Sequence, residues 1–222
     1  MKLQLAANLY LLICCGFGLF YGIARINTKK KTPTYLYFSL FAVAGAFLSR
    51  VFYVLSIAFY GGLPKVFNIG FIGFAAMFLF FLLANIGQID WLIDDRIAVS
   101  PVYRVIPAVI PSAELAFSIF GFFLDYASVS VRISYLVISV AAGFAGYFHI
   151  KHILIPDVDF GFAKAIRGYN LIALFIGLLS LAEIGLSVYG FSSLILYVQI
   201  PLGVLLAAVI PVLGQEVQKW TR

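Results

Sequence analysis

The stretch Phe67-Asn68-Ile69-Gly70-Phe71-Ile72-Gly73-Phe74-Ala75-Ala76-Met77-Phe78-Leu79-Phe80-Phe81-Leu82-Leu83-Ala84-Asn85-Ile86-Gly87 carries no charged residue from end to end. Its length matches the roughly 20 apolar residues that a helix needs to cross a bilayer. Its centre, Phe78-Leu79-Phe80-Phe81-Leu82-Leu83, lacks the apolar–polar alternation of a membrane β-barrel strand. A segment alone in lipid can satisfy its backbone only as a helix. The stretch therefore reads as a transmembrane helix. The same criteria pick out Leu5–Ala24, Tyr35–Tyr60, Val105–Leu124, Ile133–Ile150, Tyr169–Tyr189 and Leu194–Leu213. The expected fold is an all-α integral membrane protein of seven transmembrane helices. Short loops and the lack of any linker or low-complexity stretch make residues 1–222 a single domain.

Composition gives the same answer. Hydrophobic residues make up 64% of the 222 residues, charged residues 11%, and phenylalanine alone occurs 23 times. A soluble globule covers itself with about 25% charged residues. So few charges exclude a soluble domain, a disordered chain, a coiled coil and a disulfide-stapled secreted scaffold. A net charge of +6 would suggest nucleic acid in a soluble protein. Here it reads as topological, with lipid rather than nucleic acid as the partner. Cys14 and Cys15 are neighbours in an apolar run, a poor geometry for a mutual disulfide, and read as buried thiols.

Orientation follows from the loops. Arg25, Lys29, Lys30, Lys31, Arg96, Arg104, Lys151, Lys164, Arg167, Lys219 and Arg222 fall on one side of the seven spans, and Lys2, Lys65 and Arg132 on the other. Basic residues collect on the cytoplasmic side. This places the N-terminus outside and the C-terminus in the cytoplasm, with the plasma (inner) membrane as the expected location. Trp91 and Trp220 then fall at the cytoplasmic interface, where such rings anchor. Cleavage after Gly22-Ile23-Ala24 would carry Arg25 and Lys29–Lys31 outward, so the first span is read as a retained helix rather than a leader.

Seven spans with this orientation allow two parallel three-helix units joined by an inverting fourth helix. Tyr10-Leu11-Leu12-Ile13 with Gly18 matches Tyr135-Leu136-Val137-Ile138 with Gly143, and Gly87-Gln88 matches Gly214-Gln215. Ser49-Arg50-Val51 aligns with Ala182-Glu183-Ile184. A 3+1+3 plan is similar in topology to SWEET and PQ-loop proteins, KDEL receptors and microbial rhodopsins. The likeness ends at topology. The last span offers Gln199-Ile200-Pro201 in place of paired Pro-Gln, and holds no lysine for a retinal Schiff base. Small residues four apart, Gly18 and Gly22, Ala42 and Ala46, Ala142 and Gly146, read as close helix packing.

Three charges lie within predicted spans: Arg50, Glu114 and Glu183. Each costs at least about 2.5 kcal/mol at the bilayer centre, so each should face inward and find a partner. At about 1.5 Å per residue, Arg50 and Glu114 sit about 15 Å and Glu183 about 9 Å from the outer ends of their helices. Gln199 falls in the same layer, with Tyr53, Ser118 and Ser180 about one turn away. These seven residues form the expected ligand-binding set, open toward the outside. Arg50 can fork onto one carboxylate, leaving the second to a proton or a cationic ligand. Pro111 and Pro201 are expected to free backbone carbonyls beside Glu114 and Gln199.

At the cytoplasmic rim, Asp90 and Asp94 share a helical face if the third span continues, and His149 and His152 are spaced to share a metal. No GxSxG, HExxH or glycine-rich phosphate loop accompanies them. No metal or cofactor is therefore assigned, and an enzyme is the less favoured class. The leading expectation is a membrane protein that binds a small polar or charged solute or ion at the Arg/Glu site and transports it. A seven-helix sensor signalling to a cytoplasmic protein partner is the alternative, and a lipid-modifying enzyme at the rim the third. The inner half looks sparse for a hydrophilic path, with Ser112, Asn85 and Asn170 in view.

Overall fold

A computed structural model describes residues 2–28, 34–64, 66–86, 101–124, 127–154 and 166–220, with backbone alone at 27, 28, 192 and 217–220. Its elements are α1 (Lys2–Thr28), α2 (Thr34–Tyr60), α3 (Ile69–Ile86), α4 (Val102–Phe122), α5 (Val129–Leu154), α6 (Arg167–Val188) and α7 (Ser192–Trp220). All seven are long and apolar enough to cross a membrane. Several run past the apolar cores expected from sequence. Thus α5 continues through Lys151 and His152, because an intrahelical bond remains favourable after the hydrophobic run ends.

Six helices close a ring. α1 packs on α2, α2 on α3, α3 on α5, α5 on α6, α6 on α7, and α7 returns to α1. α4 stands outside this ring and packs mainly on α5. Consecutive helices run antiparallel. The contacts of α1 with α7 advance together along both chains, from Tyr10–Ile200 through Gly18–Leu206 to Arg25–Gly214, so this pair is parallel. α3 and α5 are parallel too. Phe71, Phe74 and Val131 share one end, while Asn85, His149 and His152 meet at the other.

Lipid tails are as apolar as leucine, so helix association in a bilayer depends on close packing and hydrogen bonds. The tightest crossing is α2 on α3. A Cβ at Gly45 would lie 2.8 Å from the Gly73 carbonyl, and one at Gly73 would lie 2.6 Å from the Gly45 carbonyl. Ser49 Oγ donates to the Gly70 carbonyl at 2.6 Å across the same contact. On α1, a Cβ at Gly18 would meet the Leu206 carbonyl at 2.8 Å, as expected of a small-residue stripe. The outward faces are apolar instead: Ile13, Phe17 and Phe20 on α1 are exposed at helical spacing. That inversion of the soluble pattern fits a lipid environment. Cys14 and Cys15 are free thiols, Cys15 fully buried.

The prolines do not end their helices. α4 passes through Pro107 and Pro111, and α7 through Pro201 and Pro211. Beside Pro201, the Tyr10 hydroxyl donates to the Ile200 carbonyl at 2.9 Å, tying α7 to α1.

Candidate functional site

A cavity of about 1010 Å³ opens at the end of the ring where α1, α3, α5 and α7 begin. Its mouth is formed by Leu3 and Gln4 of α1, by Gly62–Pro64 after α2, by Ala127 and Ser128 before α5, and by Gly190 after α6. Gly190 has φ +81, and Gly61, beside the mouth, has φ +77. This left-handed backbone is strained for residues with a Cβ, and it lets α6 and α2 stop abruptly at the rim.

The cavity floor is polar on one side and aromatic on the other. Glu183 of α6 accepts both arms of the Arg50 guanidinium from α2, with Nη1 at 2.7 Å from Oε1 and Nη2 on Oε2. Gln199 Nε2 of α7 donates to the same Oε1 at 2.6 Å, and Asn8 Oδ1 of α1 accepts from Arg50 Nη1 at 3.4 Å. Arg50 is 1% exposed, and its Cζ lies 5.0 Å from the Phe74 ring centroid and 6.0 Å from that of Tyr53. A guanidinium so enclosed is stabilised by the forked carboxylate and by the ring faces together. Arg50 lies behind this floor, and what the cavity meets directly is Glu183, Gln199, Asn8, Tyr53 and Phe74. The pair cancels its own charge, so the floor offers hydrogen-bonding groups without net charge.

The structure thus joins Arg50, Tyr53, Glu183 and Gln199 from the expected set and adds Asn8, which the sequence reading did not mark. Glu114 and Ser118 are not with them. Depth along a helix fixes height in the membrane but not position around the bundle, and α4 lies outside the ring. Glu114 faces α5, where a Cβ at Gly143 would sit 3.5 Å from its Oε2. One turn along, Ser118 Oγ donates to Ser139 Oγ at 2.9 Å. Ser180 is buried one turn from Glu183, and among the described residues its hydroxyl has no hydrogen-bond partner.

A second polar cluster lies toward the opposite end of the ring. His149 Nδ1 is 2.8 Å from Asn170 Oδ1, and His152 Nδ1 is 2.9 Å from Asn85 Oδ1. Asn85 Nδ2 is 3.1 Å from His149 Nδ1, joining the two pairs. All four side chains are at most 1% exposed. The His149 ring meets Phe81 and Tyr169 edge-on, and the Tyr169 hydroxyl shares a 2.7 Å bond with Ser39. The half of the ring away from the cavity is therefore richer in polar groups than its sequence suggests. Asn85, His149 and Asn170 stand on three different helices, and only closure of the ring assembles them. The histidine spacing was the available signal. The two rings bond asparagines, and among the described residues no three of His, Cys, Asp and Glu are grouped to hold a metal. Asp90 and Asp94 of the expected rim lie outside the described residues, as do Lys29–Lys31 and Trp91.

Ring and cavity together define a polytopic helical bundle with a built polar site reached from one end. No family model, curated protein or solved structure matches the chain.

Proposed function

We propose that this chain binds a small polar solute in the cavity floored by Glu183, Gln199 and Asn8 and carries it across the membrane. The observation that carries the reading is the cavity of about 1010 Å³, at the upper end of small-molecule sites, ending on a hydrogen-bonding floor beside aromatic rings. The self-neutralised Arg50–Glu183 pair favours solutes without net charge, with an apolar face for Tyr53 and Phe74. Polar groups reappear beyond the floor at Asn85, His149 and Asn170, which favours passage over simple capture. The basic loop residues support an orientation in which the cavity opens outward and the C-terminus is cytoplasmic. The ring supports a two-unit reading in which α1–α3 and α5–α7 correspond and Arg50 pairs with its counterpart Glu183.

The test begins with purified full-length protein, screened by thermal shift against amino acids, sugars, nucleosides and small organic cations. A stabilising solute should lose its effect in Gln199→Ala and Asn8→Ala, and should cross the membrane of proteoliposomes in a protein-dependent way. A hit indifferent to both variants would overturn the site. Binding without flux would overturn transport and favour the sensor. For orientation, a cysteine placed at Lys30 should resist a membrane-impermeant maleimide in intact cells, and labelling there would reverse the topology.

A further inference from the structure

α2 and α6 stand opposite each other in the ring, and among the described residues two hydrogen-bonded bridges join them across its interior. One is the Arg50–Glu183 floor of the cavity. The other lies toward the opposite end of the same two helices, where the Tyr169 hydroxyl meets Ser39 Oγ at 2.7 Å. Ser39 gives its own hydrogen to the Tyr35 carbonyl at 2.8 Å, so Tyr169 is the donor. The Tyr169 backbone is engaged as well, its N–H donating to Glu216 Oε2 of α7 at 3.1 Å. An N–H in the first turn of a helix has no partner within it, and Ile166, the residue before α6, supplies none from its side chain. The Glu216 carboxylate therefore caps α6 from a different helix, where negative charge also suits the helix dipole. Gly168 makes that approach possible, since a Cβ there would collide with Glu216 Oε1. With its ring edge-on to His149 of α5, Tyr169 thus holds three other ring helices at once. Leu36, Leu40, Ile210 and Leu213 are buried toward the same end, so apolar packing backs the polar bridge.

Gln199, which lines the cavity, and Glu216, which caps α6, belong to one helix, and Pro201 and Pro211 lie between them. Each proline lacks the N–H that would bond the residue four back, so these are the points where α7 bends at least cost. We propose that Tyr169, Ser39 and Glu216 form a gate that shuts the end of the ring opposite the cavity. Opening separates Tyr169 from Ser39 and Glu216 from the α6 N-terminus as the last turns of α7 swing away about the prolines. Arg25 of α1 holds the Gly214 carbonyl, so the end of α1 travels with them. A solute held at Gln199 acts on the same helix that carries the latch, which couples loading of the cavity to release of the far end. The gate rests on the carriage reading, since a protein that only captures its ligand has no need of a second door.

Thiol accessibility of the full-length protein in nanodiscs, where both faces meet solvent, tests the gate without a solute. With Cys14→Ser and Cys15→Ala removing the native thiols, Ala173→Cys places a probe one turn from Tyr169 toward the cavity. Ser187→Cys places a second in the cavity wall. With the latch intact, a membrane-impermeant maleimide should label Ser187→Cys fast and Ala173→Cys slowly. Adding Tyr169→Phe should raise labelling at Ala173→Cys about fivefold, the shift expected from losing one typical hydrogen bond, and lower it at Ser187→Cys. Gly168→Ala, which keeps Tyr169 and Glu216 and only displaces the carboxylate, should act in the same direction. Either variant suffices should the other fail to fold. Equal labelling of the two probes with the latch intact would overturn the gate. So would no change in either variant, or a rise at both probes, which marks general loosening. A rise at Ala173→Cys with no change at Ser187→Cys would uphold the gate and overturn the carriage reading instead.

Discussion

Glu183 and Glu114 are the same side chain in the same bundle, and their surroundings separate them completely. Glu183 stands on a ring helix, where α2 gives it a guanidinium fork and α7 an amide. Glu114 stands on the helix outside the ring, facing a glycine of α5, with one oxygen buried and unbonded. A carboxylate held by a fixed cation stays charged and locks helices together. Among the described residues Glu114 has no such cation. Position relative to the ring, rather than depth in the membrane, assigns the two roles.

The comparison breaks most severely at Arg50. Arg50→Ala should cost about 3–5 kcal/mol, because it leaves Glu183 buried and unpaired. Arg50→Met combined with Glu183→Leu should recover most of that loss, as apolar replacement of a buried pair commonly does. Unfolding of the purified variants in mixed micelles measures both. A double variant as unstable as the single one would show that the pair is not what the single change exposes. If the double variant also keeps full activity, the pair is structural and the floor is not the solute site. Next in size, Gly73→Ala should cost about 1–3 kcal/mol by pushing α3 away from α2. The added methyl would crowd the Gly45 carbonyl and displace Phe74 from beneath Arg50. Loss of solute stabilisation out of proportion to the fall in unfolding temperature would tie floor geometry to this crossing.

Smaller effects sharpen the other half. Asn170→Ala should cost about 1 kcal/mol, the net worth of a typical hydrogen bond. It should also let the His149 ring reorient, visible as a changed imidazole NMR signal. Ser118→Ala should cost about 0.6 kcal/mol, near the mean for hydrogen bonds between membrane helices. Glu114→Gln should fall within about 0.5 kcal/mol of the wild type, since it removes no ion pair. A large loss there would mean that Glu114 has a structural partner after all.

The seven spans were legible because each is a long apolar run, and lipid leaves the backbone no alternative to helix. That Arg50 would fork onto a carboxylate was legible because buried opposite charges must seek each other, but depth alone did not choose between Glu114 and Glu183. What the sequence hid was position around the bundle. Gln199 reaches the Glu183 carboxylate and Asn8 the Arg50 guanidinium from adjacent ring helices, yet only Gln199 was marked. Glu114 matched the others in height and was grouped with them, while its helix packs outside. The Asn85–His149–His152–Asn170 cluster was hidden for a related reason. Neutral polar residues scattered over three helices look sparse in a line and become a network only in a closed ring.

The ring has two seams that no hairpin loop crosses. α1 meets α7 as a parallel pair, through Tyr10 on the Ile200 carbonyl and Arg25 on the Gly214 carbonyl, and α3 meets α5 in the same sense. Parallel neighbours cannot be joined by a tight turn, so each seam is held by side chains alone, and α4 is the one covalent strap between the halves. The molecule is therefore built like a clasp. Its natural line of division runs along these seams, and two separately made pieces, α1–α3 and α4–α7, carry between them every contact needed to find each other again.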